Sequence, residues 1–218
     1  MPKLWNDHQT YQSVKRIFVT GISTGVGKTI ASAILAEALQ ADYWKPVQAG
    51  DLDNSDSLTL KALISNPRTK VHDNAYALQS PMSPHAAADI DGIRIILDRI
   101  KEPQTQNHLV IEGAGGLLVP LNEEDTVLDL IKPHYKVVVV SRHYLGSINH
   151  TLLTLECLQH RGLQSCLLFN GDENPATEQI ILKRSGVPLL GRIGNEEIIN
   201  SEIVRAYAKE LGPALHSL

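Results

Sequence analysis

Cysteine is scarce in this chain of 218 residues, with only Cys157 and Cys166 present. Neither has the paired spacing of a zinc or redox motif, and both lie in apolar, periodic stretches. A disulfide-stapled scaffold and a zinc module are therefore excluded, and both read as small buried hydrophobes. Excess positive charge is also missing: 20 Lys and Arg stand against 24 Asp and Glu, a formal net charge of −4. With no basic run either, the chain lacks the footprint that nucleic acid or an anionic membrane surface requires. No apolar run reaches the roughly 18 residues of a membrane span. The opening MPKLWNDHQTYQSVK has no apolar core of signal-peptide length. A cytoplasmic protein with a small-molecule or protein partner is expected. Repeats, low-complexity tracts and linkers are absent too, so residues 1–15 are expected to be a polar extension and 16–218 one α/β domain.

What the chain does contain is alternation. Short, β-branched or continuously apolar runs at 16–20, 43–47, 108–113, 136–141, 164–170 and 187–193 read as strands buried on both faces. Between them lie helical patterns. Ile30, Ile34, Leu35, Ala38 and Leu39 follow helical spacing after Lys28, as do Leu152, Leu153, Leu155 and Leu158 after Gly146. Further helices are expected near 55–65, 91–101, 126–132, 175–185 and 197–211. The order predicts a doubly wound, mostly parallel sheet of the P-loop NTPase kind, with ligands at the carboxyl ends of its strands.

The stretch FVTGISTGVGKT, residues 18–29, carries the chemistry. The usual phosphate loop has four residues between its first glycine and the Gly-Lys-Ser/Thr ending, whereas five separate Gly21 from Gly27 here. A strand precedes it and Thr29 is expected to open a helix, so backbone N–H groups and a helix dipole can converge on an anion. Lys28 can reach the β- and γ-phosphates and the Thr29 hydroxyl can hold Mg²⁺. The loop alone leaves kinase, switch ATPase, GTPase and ligase open.

Three more residues stand at strand or helix ends. Lys45, in YWKPVQAG, falls where the second strand should emerge beside the phosphate site, placed to neutralise a transferring phosphoryl group or bind an anionic substrate. Glu112, in VIEGAGGLLVP, ends a buried strand and runs into glycines, which suits Mg²⁺ held by one or two carboxylates together with phosphate oxygens. Asp56, in NSDSL, admits a plainer account as a first-turn acid behind a cap at Asn54 or Ser55. His85 and His150 read as structural hydrogen-bonding residues, because no catalytic constellation accompanies either.

In order along residues 16–195, GISTGVGKT, YWKPVQAG, SDSLTL, SPHAAA, IEGAGGLLVPL, LGSINHTLLTLE and the Asn of LLFNGDENP together resemble the dethiobiotin synthase family. Its members are ATP-dependent carboxylases that close the ureido ring of dethiobiotin from 7,8-diaminononanoate and CO2 or bicarbonate, giving ADP and phosphate in biotin biosynthesis. The resemblance implies that Gly25, Val26, Gly27, Lys28, Thr29 and Ile30 hold the ATP phosphates and that Thr29, Asp56 and Glu112 bind Mg²⁺. Lys45 would be the active-site lysine, with Lys28 as its catalytic companion, while Glu112, Gly113, Ala114 and Gly115 lie along nucleotide and substrate. Asn170 and Gly171, with Gly194, Asn195 and Glu196, would meet the adenine or ribose. Thr24, Lys45 and Ala49 would contact the substrate, and Gly146, Ser147 and Asn149 would close on its carboxylate tail across a homodimer interface. Ser147 would there cap a helix starting at Ile148 or Asn149.

Two positions depart from the family pattern. Ala49 stands where members often have a hydroxyl residue, and Gly25 where some carry an acid inside the loop. The rival reading, a switch ATPase of the partitioning or nitrogenase-iron type, calls for a signature lysine five residues before Lys28. That position is Ser23. A small-molecule kinase or an amidating synthetase is the third reading.

Overall fold

The computed structural model describes residues 14–216, so that all but the last two residues of the expected extension at 1–15 lie outside it. At the centre stands β1 (Arg16–Gly21), flanked by β6 (Leu109–Glu112) and β7 (Lys136–Arg142). Beyond β6 follow β2 (Asp42–Trp44) and β4 (Val71–His72); beyond β7 follow β8 (Ser165–Asn170) and β9 (Leu189–Ile193). All six pairings of this seven-stranded sheet are parallel.

Parallel strands demand crossovers, and the helices supply them. From β1 the chain moves one way along the sheet through α1 (Lys28–Leu39), and from β7 the other way through α4 (Ser147–His160) and α5 (Pro175–Ser185). Right-handed crossovers in opposite directions put helices on opposite faces. Accordingly α1 packs with α2 (Asp56–Leu63) and α6 (Ser201–His216), and α4 packs with α5. Strand residues such as Phe18, Val19, Val138 and Leu168 are fully buried between these layers. That burial explains why their runs are continuously apolar rather than alternating.

Several expectations are corrected. The run at 43–47 is not one strand. It breaks at Lys45 and Pro46, because proline offers no ladder N–H, and resumes as β3 (Val47–Ala49), which pairs with β5 (Tyr76–Leu78) in a small separate sheet. The helix expected near 91–101 is absent; a single 3-10 turn spans Leu97–Arg99, and the helix comes earlier as α3 (Pro84–Ile90), with Pro84 in its first turn. The expected helix at 126–132 is a 3-10 turn, Val127–Leu130, and the last helix begins at Ser201 rather than near 197. Helix α1 opens one residue before Thr29, at Lys28.

Candidate active site

The carboxyl ends of β1, β2 and β6 meet on one edge of the sheet, where Val19 is in register with Glu112 and Trp44 with Ile111. The loop between β1 and α1 turns there, with Gly25 and Gly27 at φ of 72° and 94°. These left-handed values favour glycine. Gly27 caps α1 without a side-chain hydrogen bond, and Ala31 N–H is the donor to its carbonyl at 3.0 Å. The N–H groups of 28–30 thus stand at the positive end of the helix with no partner inside it, the arrangement that binds phosphate. Val26 is buried, so only its backbone belongs to the loop surface.

Behind this cradle four side chains converge. Thr29 Oγ1 lies 2.6 Å from Asp56 Oδ1 and 3.0 Å from Glu112 Oε1. Lys45 Nζ lies 3.1 Å from Glu112 Oε1 and is also ion-paired to Asp56. Lys45 and Glu112 are 5% and 1% exposed, so neither charge is left to water. Burial opposes charge on Lys45, but Glu112 and Asp56 outweigh it and hold the ammonium above its ordinary value. For Asp56 burial likewise works against the charge, and Lys45 and Thr29 prevail to lower its carboxyl. Lys28, whose Nζ donates to the Ser23 carbonyl at 3.1 Å, is the exception. Burial carries it down to about 8, with Lys45 assisting and Glu112 and Asp56 resisting. The far oxygen of Glu112 accepts from Tyr43 Oη at 2.9 Å. Burial first, then the Glu112 and Asp56 charges, push that phenol well above its usual range.

The cluster faces a cavity of about 700 Å³. Of the residues singled out in the sequence, Thr24, Gly25, Gly27, Lys28, Thr29, Ile30, Lys45, Ala49, Asp56, Glu112, Ala114 and Gly115 line it. Gly113 does not; it packs beside Phe18 and Val127. Sequence reasoning gave no role to a further stretch of the lining, Pro81 to Pro84, or to Tyr43. Ser83-Pro84 is a recognisable helix start within that stretch, whereas a tyrosine in an apolar strand carries no comparable signal.

Asn170, Gly171, Gly194, Asn195 and Glu196 gather elsewhere, beyond the phosphate loop. Asn170 Nδ2 donates to the Val26 carbonyl at 2.8 Å, which ties the end of β8 to the loop. Gly171 N–H donates to the Ile193 carbonyl at 2.8 Å, and Arg192 donates to the carbonyls of Gly171 and Asp172. Gly194 N–H donates to Tyr207 Oη at 2.9 Å, Tyr207 in turn donates to Glu196, and Asn195 reaches Asp172 at 2.8 Å. One braced edge results.

Gly146, Ser147 and Asn149 do not line the 700 Å³ cavity of their own chain. The expected cap is corrected as well: Gly146, not Ser147, is the N-cap of α4, and Ser147 is already helical and buried. Asn149 is exposed. Next to this helix end runs a second groove, about 440 Å³, lined by Thr24, Leu118, Val119, His150 and Leu153. Thr24 and Val119 belong to both spaces. Of the two histidines read as structural, His150 bonds Tyr144 Oη at 2.7 Å, while His85 Nδ1 is buried with no hydrogen-bond partner among the described residues.

A parallel, doubly wound sheet with a glycine-rich loop entering a helix at its central strand defines a P-loop nucleotide-binding fold. Solved structures agree. A plasmid partition protein from Borrelia burgdorferi superposes with a TM-score of 0.59 at 14% identity, over 94% of this chain and 99% of that one. A ParA family ATPase from Chlorobium tepidum gives 0.53 at 14% identity, over 94% and 97%. At such identity the likeness is one of fold alone.

Sequence relatives define the family. An AAA domain family model matches residues 15–202. The ATP-dependent dethiobiotin synthetase BioD of Christiangramia forsetii is 55% identical over 197 residues, 90% of this chain and 95% of that protein. Its namesake in Cytophaga hutchinsonii is 51% identical over 201 residues, 91% and 97% of the two chains. The chain belongs to the ATP-dependent dethiobiotin synthetase family, ligases that form C–N bonds in biotin biosynthesis.

Proposed function

We propose that this chain converts 7,8-diaminononanoate, CO2 and ATP into dethiobiotin, ADP and phosphate, with residues 16–218 acting as one catalytic unit. The observation that carries the reading at residue level is the buried Lys45–Glu112 pair, joined by the half-buried Asp56 and Thr29, at the mouth of the phosphate loop and facing a cavity of about 700 Å³. In this reading Gly25 to Ile30 wrap the ATP phosphates. Asn170, Gly171, Gly194, Asn195 and Glu196 meet the base and ribose.

The donor set also fits Mg²⁺. Thr29, Asp56 and Glu112 offer only oxygen, and among the described residues no group of three or more His, Cys, Asp or Glu converges that would favour a softer metal. Two carboxylates and a hydroxyl leave the remaining positions to phosphate and water, the usual habit of this ion. Bound Mg²⁺ supplies positive charge to the β- and γ-phosphate oxygens.

The chain's own part is to place and neutralise. One amine of the diamine takes up CO2 as a carbamate, ATP phosphorylates that carbamate, and the second amine closes the ring as phosphate leaves. Lys45 sits where the carbamate oxygens gather charge, and Lys28 covers the transferring phosphoryl group. Both amines belong to one bound ligand, so ring closure gains its rate from proximity. Ala49 offers no hydroxyl, so in this reading the hydrogen bond that many family members make there is lost or taken over by water.

The tail of the substrate requires Gly146, Ser147 and Asn149, which belong in this reading to a second copy of the chain. The exposure of Leu118, which lines the second groove, at 69%, and of Leu145, next to Gly146 in the chain, at 103%, favours a homodimer across that face. Light scattering on a size-exclusion column is expected to give twice the chain mass, and an active monomer would overturn the shared site. The reading places the enzyme in the cytoplasm with its ATP and calls for no nucleic-acid or membrane partner. Its test is Mg²⁺-dependent ADP release measured with and without the diamine and bicarbonate. Release is expected to need the diamine and to yield a cyclic urea by mass. Release indifferent to the diamine would point to a switch ATPase instead.

A further inference from the structure

We propose that Tyr43 is a positioning residue of this site, holding the Glu112 carboxylate with Oε2 turned inward and Oε1 presented to Thr29, Lys45 and the metal. Strand β2 lies beside β6 with Tyr43 in register with Val110, one side-chain repeat before Glu112 on the same face of the sheet. The phenol therefore meets the carboxylate from the neighbouring strand. Tyr43 Oη donates to Oε2 at 2.9 Å, while Oε1 is 3.0 Å from Thr29 Oγ1 and 3.1 Å from Lys45 Nζ. Tyr43 is 0% exposed and Glu112 1%, so water cannot replace the phenol as a donor.

The consequence follows from carboxylate geometry. The terminal torsion of a glutamate is broad, so a carboxylate held at Oε1 alone can still turn its plane about that oxygen. A donor on Oε2 removes that freedom and fixes which lone pairs of Oε1 stay free for a cation. Outer partners of metal-holding groups act in this way, and their loss weakens metal binding by about 10-fold or more. As filler for the sheet interior, phenylalanine would serve equally well at position 43, and only the hydroxyl distinguishes the two roles.

This inference rests on Glu112 as a Mg²⁺-holding residue, so the experiment measures both. Calorimetric titration with ATP is run in EDTA and at increasing MgCl2 on wild type, Tyr43→Phe, Glu112→Gln and the double variant. Tyr43→Phe is expected to need about 10-fold more MgCl2 for half of the metal-dependent gain in ATP affinity, with its affinity in EDTA unchanged. The double variant is expected to match Glu112→Gln alone, because Tyr43 acts only through that carboxylate. Should Tyr43→Phe fail to fold, the double variant still decides, since its neutral amide no longer leaves a buried charge without a donor. A double variant weaker in MgCl2 than Glu112→Gln overturns the inference, as does a wild-type titration for Tyr43→Phe beside an impaired Glu112→Gln. A wild-type titration for Glu112→Gln itself overturns the metal role of Glu112, and the positioning role with it.

Discussion

Lys45→Ala is expected to lower dethiobiotin formation by about 1,000-fold, at the upper end of what one preorganised charge contributes at a reacting centre. ATP will still bind, because the cradle is built from the backbone of 25–30 and from Lys28, whose ammonium is anchored separately on the Ser23 carbonyl. A second effect separates this lysine from an ordinary substrate contact. Asp56 and Glu112 both lean on Lys45, and removing one partner of a buried ion pair such as Lys45–Glu112 costs about 3–5 kcal/mol, while the part-exposed Asp56 is served in part by water. The variant should therefore melt lower than wild type, yet gain more from Mg²⁺ and ATP, since a cation placed between the carboxylates replaces the missing charge. Thermal melts with and without MgCl2 and ATP, beside product assays by mass, read both effects. Wild-type turnover would remove Lys45 from the reaction, and equal ligand-induced shifts would remove it from charge balance.

The chain declares its phosphate site openly because that site is made of backbone. Glycines at 25 and 27, a lysine and a threonine must follow a strand and precede a helix, and only a few residue types allow it. Glu112 was legible for a related reason: a carboxylate closing a buried apolar run is costly unless something answers it. The strands on both sides of β1 were visible through their unbroken apolar runs.

Where the reading failed, the missing signal was tertiary. In 91–101 the apolar residues Ile93, Ile96, Leu97 and Ile100 fall on one helix face, yet Ile93 and Ile96 are 42% and 36% exposed and the backbone makes only a 3-10 turn. Helix α3, by contrast, is only seven residues long, three of them alanine, with little periodicity to see. The break at Lys45 and Pro46 was readable as a proline effect but not as a change of sheet, because β5, the partner of β3, has three residues and no pattern of its own. Tyr43 escaped notice because its role depends on a neighbour 69 positions away. The bond from Asn170 to Val26 spans 144 positions and was equally invisible.

That last bond sets the second large effect. Gly27→Ala is expected to weaken ATP binding by about 100-fold, roughly 2.7 kcal/mol, while leaving the sheet folded. Two costs add at this position. With φ at 94°, a side chain is strained by about 1–2 kcal/mol. The added Cβ would also stand 2.2 Å from Asn170 Nδ2, so the amide must swing away and release the Val26 carbonyl. The loop then loses its shape and its tie to the edge that carries Gly171, Gly194 and Asn195. Asn170→Ala separates the two costs, since it removes the tie without straining Gly27, and its loss in ATP affinity should be the smaller. Combining it with Gly27→Ala should recover only the part due to collision. Calorimetry with ATP, beside circular dichroism to verify the fold, measures each step. Wild-type affinity in Gly27→Ala would mean that the phosphates do not rest on this loop, and the nucleotide site would have to be sought elsewhere in the chain.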